Sequence, residues 1–269
     1  MSAGQASPPP PLRAGDLRLA ILVDFDGTIA LTDVSDTIMA AHIPGRWEEI
    51  VERYDAGLLG SRELMAWEIS LLTADPELLL ATASRQPLDP DFARFVGRAR
   101  GAGIPVEVVS DGFGFFIEPA LARLGLDDLP VATARTTFQD DRASIEFPNG
   151  HPDCLVCGTC KRNRVLAHQA AGRAVVFIGD GESDRYAAGY SDLVFAKRSL
   201  VSICEREGWP YRAWQDFGDL DRWLEATVAT ALADPASIRR PEARPFFCGP
   251  EVWGPGRRNP PSPGEVPGA

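Results

Sequence analysis

Two pairs of acidic residues stand directly behind apolar runs. Asp24 and Asp26 follow Leu19-Ala-Ile-Leu-Val23, and Asp180 and Asp184 follow Ala174-Val-Val-Phe-Ile178. Side chains at i and i+2 share a face of an extended chain, so Asp24 and Asp26 can point at one site where the run opens into Gly27-Thr28. Carboxylates crowded together disfavour their own charged forms and call for a cation. An all-oxygen donor set of this kind suits Mg²⁺, which takes few carboxylates and keeps several waters. Either pair alone reads equally well as a capped strand end carrying solvated acids. Ser110, behind a third apolar run, and Lys161 add a hydroxyl and a cation, and the combination is more telling than its parts.

The elements around these residues explain how they could meet. Leu19–Val23, Ile104–Val109 and Ala174–Ile178 are short apolar runs, each ending in a glycine-containing polar cluster, and Leu193–Ala196 is a fourth run ending in Lys197. Such runs read as strands buried on both faces, the pattern of a parallel sheet. Helical signals alternate with them: Asp89-Pro90 opens a helix carrying Phe92, Phe95, Val96 and Ala99 on one face, and Lys161–Ala171 and Leu220–Leu232 read as two more. The alternation predicts an α/β fold with a doubly wound parallel sheet. In such sheets ligands bind beyond the carboxyl ends of the strands, where all three polar clusters fall. The segment 33–86 has no strand-like run but several helical patterns: Trp47, Ile50, Val51 and Tyr54, then Leu64, Trp67 and Leu71, then a helix opened by Asp75-Pro76. It reads as a helical cap inserted into a catalytic core of residues 17–32 and 87–234. Trp47 and Trp67 are candidates to line a pocket beneath it.

Composition narrows the partners. The chain has 269 residues and a formal charge of −11. Thirteen of its 23 prolines lie in the ends, so 1–16 reads as a disordered arm and 235–269 as a Pro/Gly-rich tail. Between them stand 34 acidic against 21 basic residues, which argues against a nucleic-acid backbone as partner. A small anionic substrate held by local donors remains compatible. No run approaches the roughly 20 apolar residues that span a bilayer, so no membrane partner is expected. Five cysteines, three of them crowded into Cys154, Cys157 and Cys160, fit a reducing, cytoplasmic location better than a disulfide framework. Phe246, Phe247 and Trp253 make the tail more aromatic than a linker, which admits packing on the core or against a second copy of the chain in a homodimer.

Taken in order, Asp24-Phe-Asp-Gly-Thr28, Val108-Val-Ser110, Lys161 and Gly179-Asp-Gly-Glu-Ser-Asp184 resemble the four motifs of the haloacid dehalogenase superfamily, over roughly Arg18 to Thr227. The flanks are similar to its phosphoserine-phosphatase-type branch, subfamily IB: Ser110-Asp-Gly-Phe-Gly-Phe-Phe-Ile-Glu-Pro119, the His151-to-Lys161 stretch with its cysteines, and Asp192 to Tyr211. Within that branch they most resemble the methionine-salvage phosphatases acting on 2-hydroxy-3-keto-5-methylthiopentenyl-1-phosphate.

The resemblance implies a Rossmann-like core with a small helical cap, and a Mg²⁺-dependent phosphatase that hydrolyses a small phosphorylated metabolite through an aspartyl-phosphate. It casts Asp24 as nucleophile and Asp26 as the acid and base that protonates the leaving oxygen and then activates water. Mg²⁺ would sit on the side chains of Asp24 and Asp180 and the main-chain carbonyl of Asp26, with Asp184 in support. Ser110 and the N–H groups of Asp111 and Gly112 would hold phosphate oxygens, Lys161 would add positive charge, and Thr28 would bond near the phosphate or cap a turn. Phosphoserine phosphatases have Glu where this chain has Asp33, and Gly-Gly where it has Asp111-Gly112. Asp33 therefore either faces substrate from the hinge or caps a helix. Two alternatives stand beside the main reading: a phosphoserine phosphatase, and a non-catalytic protein of the same fold whose cysteine loop binds zinc. His151, Cys154, Cys157 and Cys160 have the right ligand types, although structural zinc sites usually join two clusters from separate segments.

Overall fold

β1 (Leu19–Val23) is apolar at all five positions because both of its faces are covered, and every one of its residues is buried. The computed structural model describes residues 19–72, 75–139, 142–230 and 248–261. The arm expected over 1–16 lies outside them, as do 235–247 and 262–269 of the expected tail.

β1 is the middle of a seven-stranded sheet ordered β4-β3-β2-β1-β5-β6-β7. Its neighbours are β2 (Val106–Phe113) and β5 (Ala174–Gly179), both parallel to it, with Val23 opposite Val108 on one side and Ile178 on the other. β3 (Val131–Gln139), β6 (Leu193–Ala196) and the two-residue β7 (Arg212–Ala213) continue the parallel pairing. Only β4 (Arg142–Glu146) is antiparallel, pairing with β3 at the sheet edge. The α/β doubly wound expectation holds, and β1, flanked by β2 and β5, is the point at which the winding reverses.

Between β1 and the first core helix come four helices: α1 (Val34–His42), α2 (Glu48–Asp55), α3 (Ser61–Leu71) and α4 (Pro76–Ser84). An antiparallel bridge between Ala30 and Leu88 closes the base of this excursion. The core helices follow. α5 (Phe92–Gly101) buries the four apolar residues that its spacing predicts, and Phe217 of α10 (Phe217–Thr230) packs edge-on against Phe92. Asp221 of α10 receives Arg94 and Arg98 of α5, which pins the two helices together. α6 (Gly114–Arg123), α7 (Lys161–Ala170), a 3₁₀ turn at Glu182–Asp184, α8 (Arg185–Tyr190), α9 (Ser199–Arg206) and the one-turn α11 (Pro250–Trp253) complete the described elements. Among the described residues, no helix is long and apolar enough to cross a membrane.

One expectation needs correction. β2 does not stop at Val109 but runs through the polar cluster to Phe113, with its register against β3 shifting between Val109 and Phe113. That bulge re-aims Ser110 and Asp111 without ending the strand.

Candidate active site

The carboxyl ends of β1, β2 and β5 lie side by side, so Asp24, Ser110 and Asp180 meet although they are far apart in sequence. Asp24 N–H donates to the Ile178 carbonyl at 2.9 Å, which carries the ladder one residue past β1 and fixes where the carboxylate begins. Two glycines make the close approach possible. Gly27 has φ +67°, and a Cβ there would lie 2.1 Å from Asp180 Oδ2. A Cβ on Gly112 would lie 2.8 Å from Asp26 Oδ2.

Ligand oxygens of Asp24, Asp180 and Asp184 lie within 4.8 Å of one another, and all three residues are buried. No other group of three metal-capable side chains among the described residues is drawn together this closely. Lys161, 2 % exposed, bridges two of the three, with Nζ at 2.7 Å from both Asp24 Oδ1 and Asp184 Oδ1 and 3.2 Å from Ser183 Oγ. Asp184 also accepts from the N–H groups of Asp180 and Gly181, so it braces the β5 loop. Asp180 takes Arg198 at 3.1 Å. Thr28 donates to Asp180 Oδ1 at 3.2 Å, so it serves an acidic side chain rather than presenting its hydroxyl to the cavity.

Asp26 turns toward the inserted helices. Its carboxylate accepts from Val34 N–H at 2.9 Å and from Ser35 Oγ at 3.2 Å, at the N-terminus of α1, where unpaired N–H groups favour an anion. Asp33 caps the same helix by accepting from Asp36 N–H at 2.9 Å and also lines the cavity, so both of its expected roles are geometrically open. Gly112 N–H closes on Ser110 Oγ at 2.9 Å, which orients the serine hydroxyl; that N–H, expected at a phosphate, is engaged by its own neighbour. Asp111 is held from two sides, by Ser61 Oγ of α3 and by Thr159 N–H of the loop before α7, each at 2.5 Å.

These groups border a cavity of about 260 Å³. Burial and the charge of Asp184 push Asp24 well above the ordinary carboxylate range, against the pull of Lys161. Burial and Asp33 do the same to Asp26, outweighing its Val34 hydrogen bond. Burial and Asp184 raise Asp180 to about 6. Burial disfavours the Lys161 ammonium, but Asp184 and Asp24 more than offset it and hold the lysine charged. The cluster is thus short of positive charge, the condition under which a hard divalent cation binds. The buried oxygen donors of Asp24, Asp180 and Asp184 fit Mg²⁺.

Several site residues had weak signals or none in the sequence. Val34 follows from the Asp33 cap, since a helix beginning there must offer its first N–H groups, and Ser35 adds its hydroxyl from the next position. Arg198, the only non-glycine with positive φ among the described residues, had no signal. Trp47 and Trp67 do not line the cavity; Tyr54 and Met65 take the place expected of them. The cysteine loop also gains a member. Cys154, Cys157 and Cys160 share a small separate cavity with Cys248, from a segment nearly ninety residues later, while His151 Nδ1 is engaged by Asp153 and Cys154 N–H groups.

Comparisons agree with this geometry. Residues 21–189 match the sequence profile of the haloacid dehalogenase-like hydrolases. A 2-hydroxy-3-keto-5-methylthiopentenyl-1-phosphate phosphatase of Brevibacillus brevis is 28 % identical over 212 residues, covering 77 % of this chain and 96 % of the relative. The Bacillus licheniformis bifunctional enzyme MtnB/MtnX is 30 % identical over 211 residues, covering 77 % of this chain and 49 % of that protein. Among solved structures, a phospho-aspartyl intermediate analogue of phosphoserine phosphatase superposes with a TM-score of 0.60 at 20 % identity, covering 77 % of this chain and 98 % of its own. At that identity the likeness speaks for the fold. The matched span runs from β1 into α8 and contains Asp24, Asp26, Ser110, Lys161, Asp180 and Asp184, so the chain belongs to the haloacid dehalogenase-like hydrolases and is an enzyme of their phosphatase branch.

Proposed function

We propose that this enzyme is a Mg²⁺-dependent phosphatase that hydrolyses a small phosphorylated metabolite through an aspartyl-phosphate. The observation that carries the reading is the Asp24 carboxylate at the end of the central strand, bonded to Lys161, grouped with Asp180 and Asp184, and facing the same cavity as Asp26. Mg²⁺ would be held by Asp24, Asp180 and Asp184 with the Asp26 carbonyl, and when bound it supplies charge that offsets repulsion between Asp24 and the phosphate. Asp24 attacks phosphorus in line and becomes the aspartyl-phosphate. Asp26 gives a proton to the leaving oxygen, then takes one from the water that hydrolyses the intermediate. Its raised pKa supports the first half of that cycle by keeping the acid form populated. Lys161, Ser110 and the N–H of Asp111 stabilise the charge of the transferring group.

The curated relatives make 2-hydroxy-3-keto-5-methylthiopentenyl-1-phosphate the first compound to assay. Phosphoserine suits the cavity less well, because no lysine, arginine or histidine lines it to pair with the substrate carboxylate. Five free thiols support a reducing, cytoplasmic setting. The mechanism is tested with an aryl phosphate and Mg²⁺. Asp24→Asn should lower kcat by about a thousand-fold or more, and EDTA should abolish turnover. Hydrolysis unaffected by either would exclude this mechanism.

A further inference from the structure

The inserted helices turn a strongly acidic face on the cavity. Beyond the aspartates assigned to the metal and to proton transfer, Asp33, Asp36, Asp55 and Glu68 line it, and no lysine, arginine or histidine does. Glu68 is the most informative of them. It lies on the buried face of α3 with Ser61 and Met65, and is 3 % exposed. Glutamate is almost never buried this deeply without a partner, because an unpaired carboxylate loses its hydration. Among the described residues the Glu68 carboxylate has no hydrogen-bond donor and no cation; burial, Asp36 and Asp33 all push its pKa well above the ordinary range. It is an acceptor facing a cavity, in a position that packing alone would give to Leu or Met.

The inserted helices also bring Val51, Leu64, Met65 and Tyr54 to the cavity. Carboxylates beside an aromatic ring are the chemistry that recognises an ammonium group: the acids take its charge, and its N–H or N-methyl groups lie against the ring. An acid in the same place would be pressed against carboxylates in a partly desolvated cavity.

We propose that the enzyme selects phosphomonoesters whose organic part carries an ammonium group, with Glu68 as the specificity-determining residue and Asp36 and Asp55 beside it. This rests on the phosphatase reading above and narrows its substrate class, departing from the methylthiopentenyl compound named for the relatives, which has no ammonium group.

The test uses the full chain with Mg²⁺ and four esters: 2-aminoethyl phosphate, choline phosphate, glycerol 1-phosphate and phosphoserine. The first two carry the ammonium, the third is neutral apart from phosphate, and phosphoserine adds one carboxylate to the first. The expected kcat/KM for 2-aminoethyl phosphate exceeds that for glycerol 1-phosphate by about ten-fold or more, and Glu68→Gln brings the ratio toward one. Phosphoserine should fall below 2-aminoethyl phosphate. Asp36→Asn, on α1, should lower the same ratio by a smaller factor, so the proposal stays testable if the Glu68 variant does not fold. A wild-type ratio near one, or a ratio unchanged in a folded Glu68→Gln protein, overturns it.

The two readings fail separately. No hydrolysis of any ester would overturn the phosphatase reading. Calorimetric binding of 2-aminoethylphosphonate tighter than that of propylphosphonate, lost in Glu68→Gln, would still support the cation site, and equal binding of the two would sink it.

Discussion

Asp26 shows how much one side chain's work depends on its neighbours. It is buried, held by the first N–H of α1 and by Ser35, and faced by the charge of Asp33. The hydrogen bonds favour the carboxylate while burial and Asp33 favour the acid, and the second pair wins. In the proposed role of proton donor to the leaving group, Asp26 must be protonated, so kcat/KM falls as pH rises through its pKa. Asp33→Asn keeps a capping side chain on α1 but removes the opposing charge, and so lowers the Asp26 pKa. The basic limb of the kcat/KM profile should move to lower pH in this variant, with the fold unchanged by circular dichroism. A limb that stays in place would separate Asp26 from that limb. At this scale the sequence was readable wherever acids followed apolar runs. It was opaque at Glu68, because glutamate on a helix ordinarily signals a solvated face, and at Arg198, whose backbone conformation no residue pattern announces.

The strand that carries Ser110 and the helix that begins at Lys161 are registered by a contact that was not visible in the sequence. Glu107 on β2, three residues before Ser110, accepts from Arg164 of α7 at 2.7 and 3.1 Å and meets His168 at 3.0 Å. α7 begins with Lys161, so this cluster around the buried Glu107 sets the lysine's helix against the serine's strand. Burial alone would raise the Glu107 pKa, but His168 and Arg164 bring it below the ordinary value. A depressed carboxylate contributes stability that is fully present above its unfolded pKa, about 4.3, and is lost as pH falls through the folded one. Glu107→Gln should therefore cost about 1–3 kcal/mol at neutral pH, and the gap to wild type should close below about pH 4 in denaturant unfolding. A gap independent of pH would mean that Glu107 acts by shape alone. The central strands were legible because they are buried on both faces, and α5 because its apolar spacing is regular. β3 and β4 were not: β3 is buried only over Ala132–Ala134 and then alternates at an exposed edge, where Thr, Arg and Gln replace the apolar run.

Across the whole molecule, the proline-rich end holds a described stretch, 248–261, whose packing composition does not announce. Residues 248–261 come back onto the cysteine loop. Leu155 N–H donates to the Arg257 carbonyl at 2.7 Å and Gly256 N–H to the Asp153 carbonyl at 2.5 Å, while Cys248 exchanges hydrogen bonds with the Tyr190 hydroxyl. Trp253 stacks edge-on against Tyr186, and Glu251 pairs with Arg162, the residue after Lys161. Proline density reported how little helix this segment holds, the single turn of α11, but not its attachment, which rests on hydrogen bonds, an ion pair and two aromatic rings. The loop it covers holds Thr159, which fixes Asp111, and leads straight into Lys161, so the segment reaches the site through one layer of structure. Truncation after Phe247 should cost about 2 kcal/mol and lower Tm by about 4–8 °C, since hydrogen bonds, an ion pair and partly buried rings are lost together. It should also lower kcat on an aryl phosphate more than it raises KM, because the loosened groups are Lys161, bonded to the Asp24 carboxylate behind the cavity, and Asp111 in its wall, both proposed to act on the transferring phosphoryl group. A truncated protein with unchanged Tm and kcat would show that the returning segment is only a covering, and that the cysteine loop holds Lys161 without it.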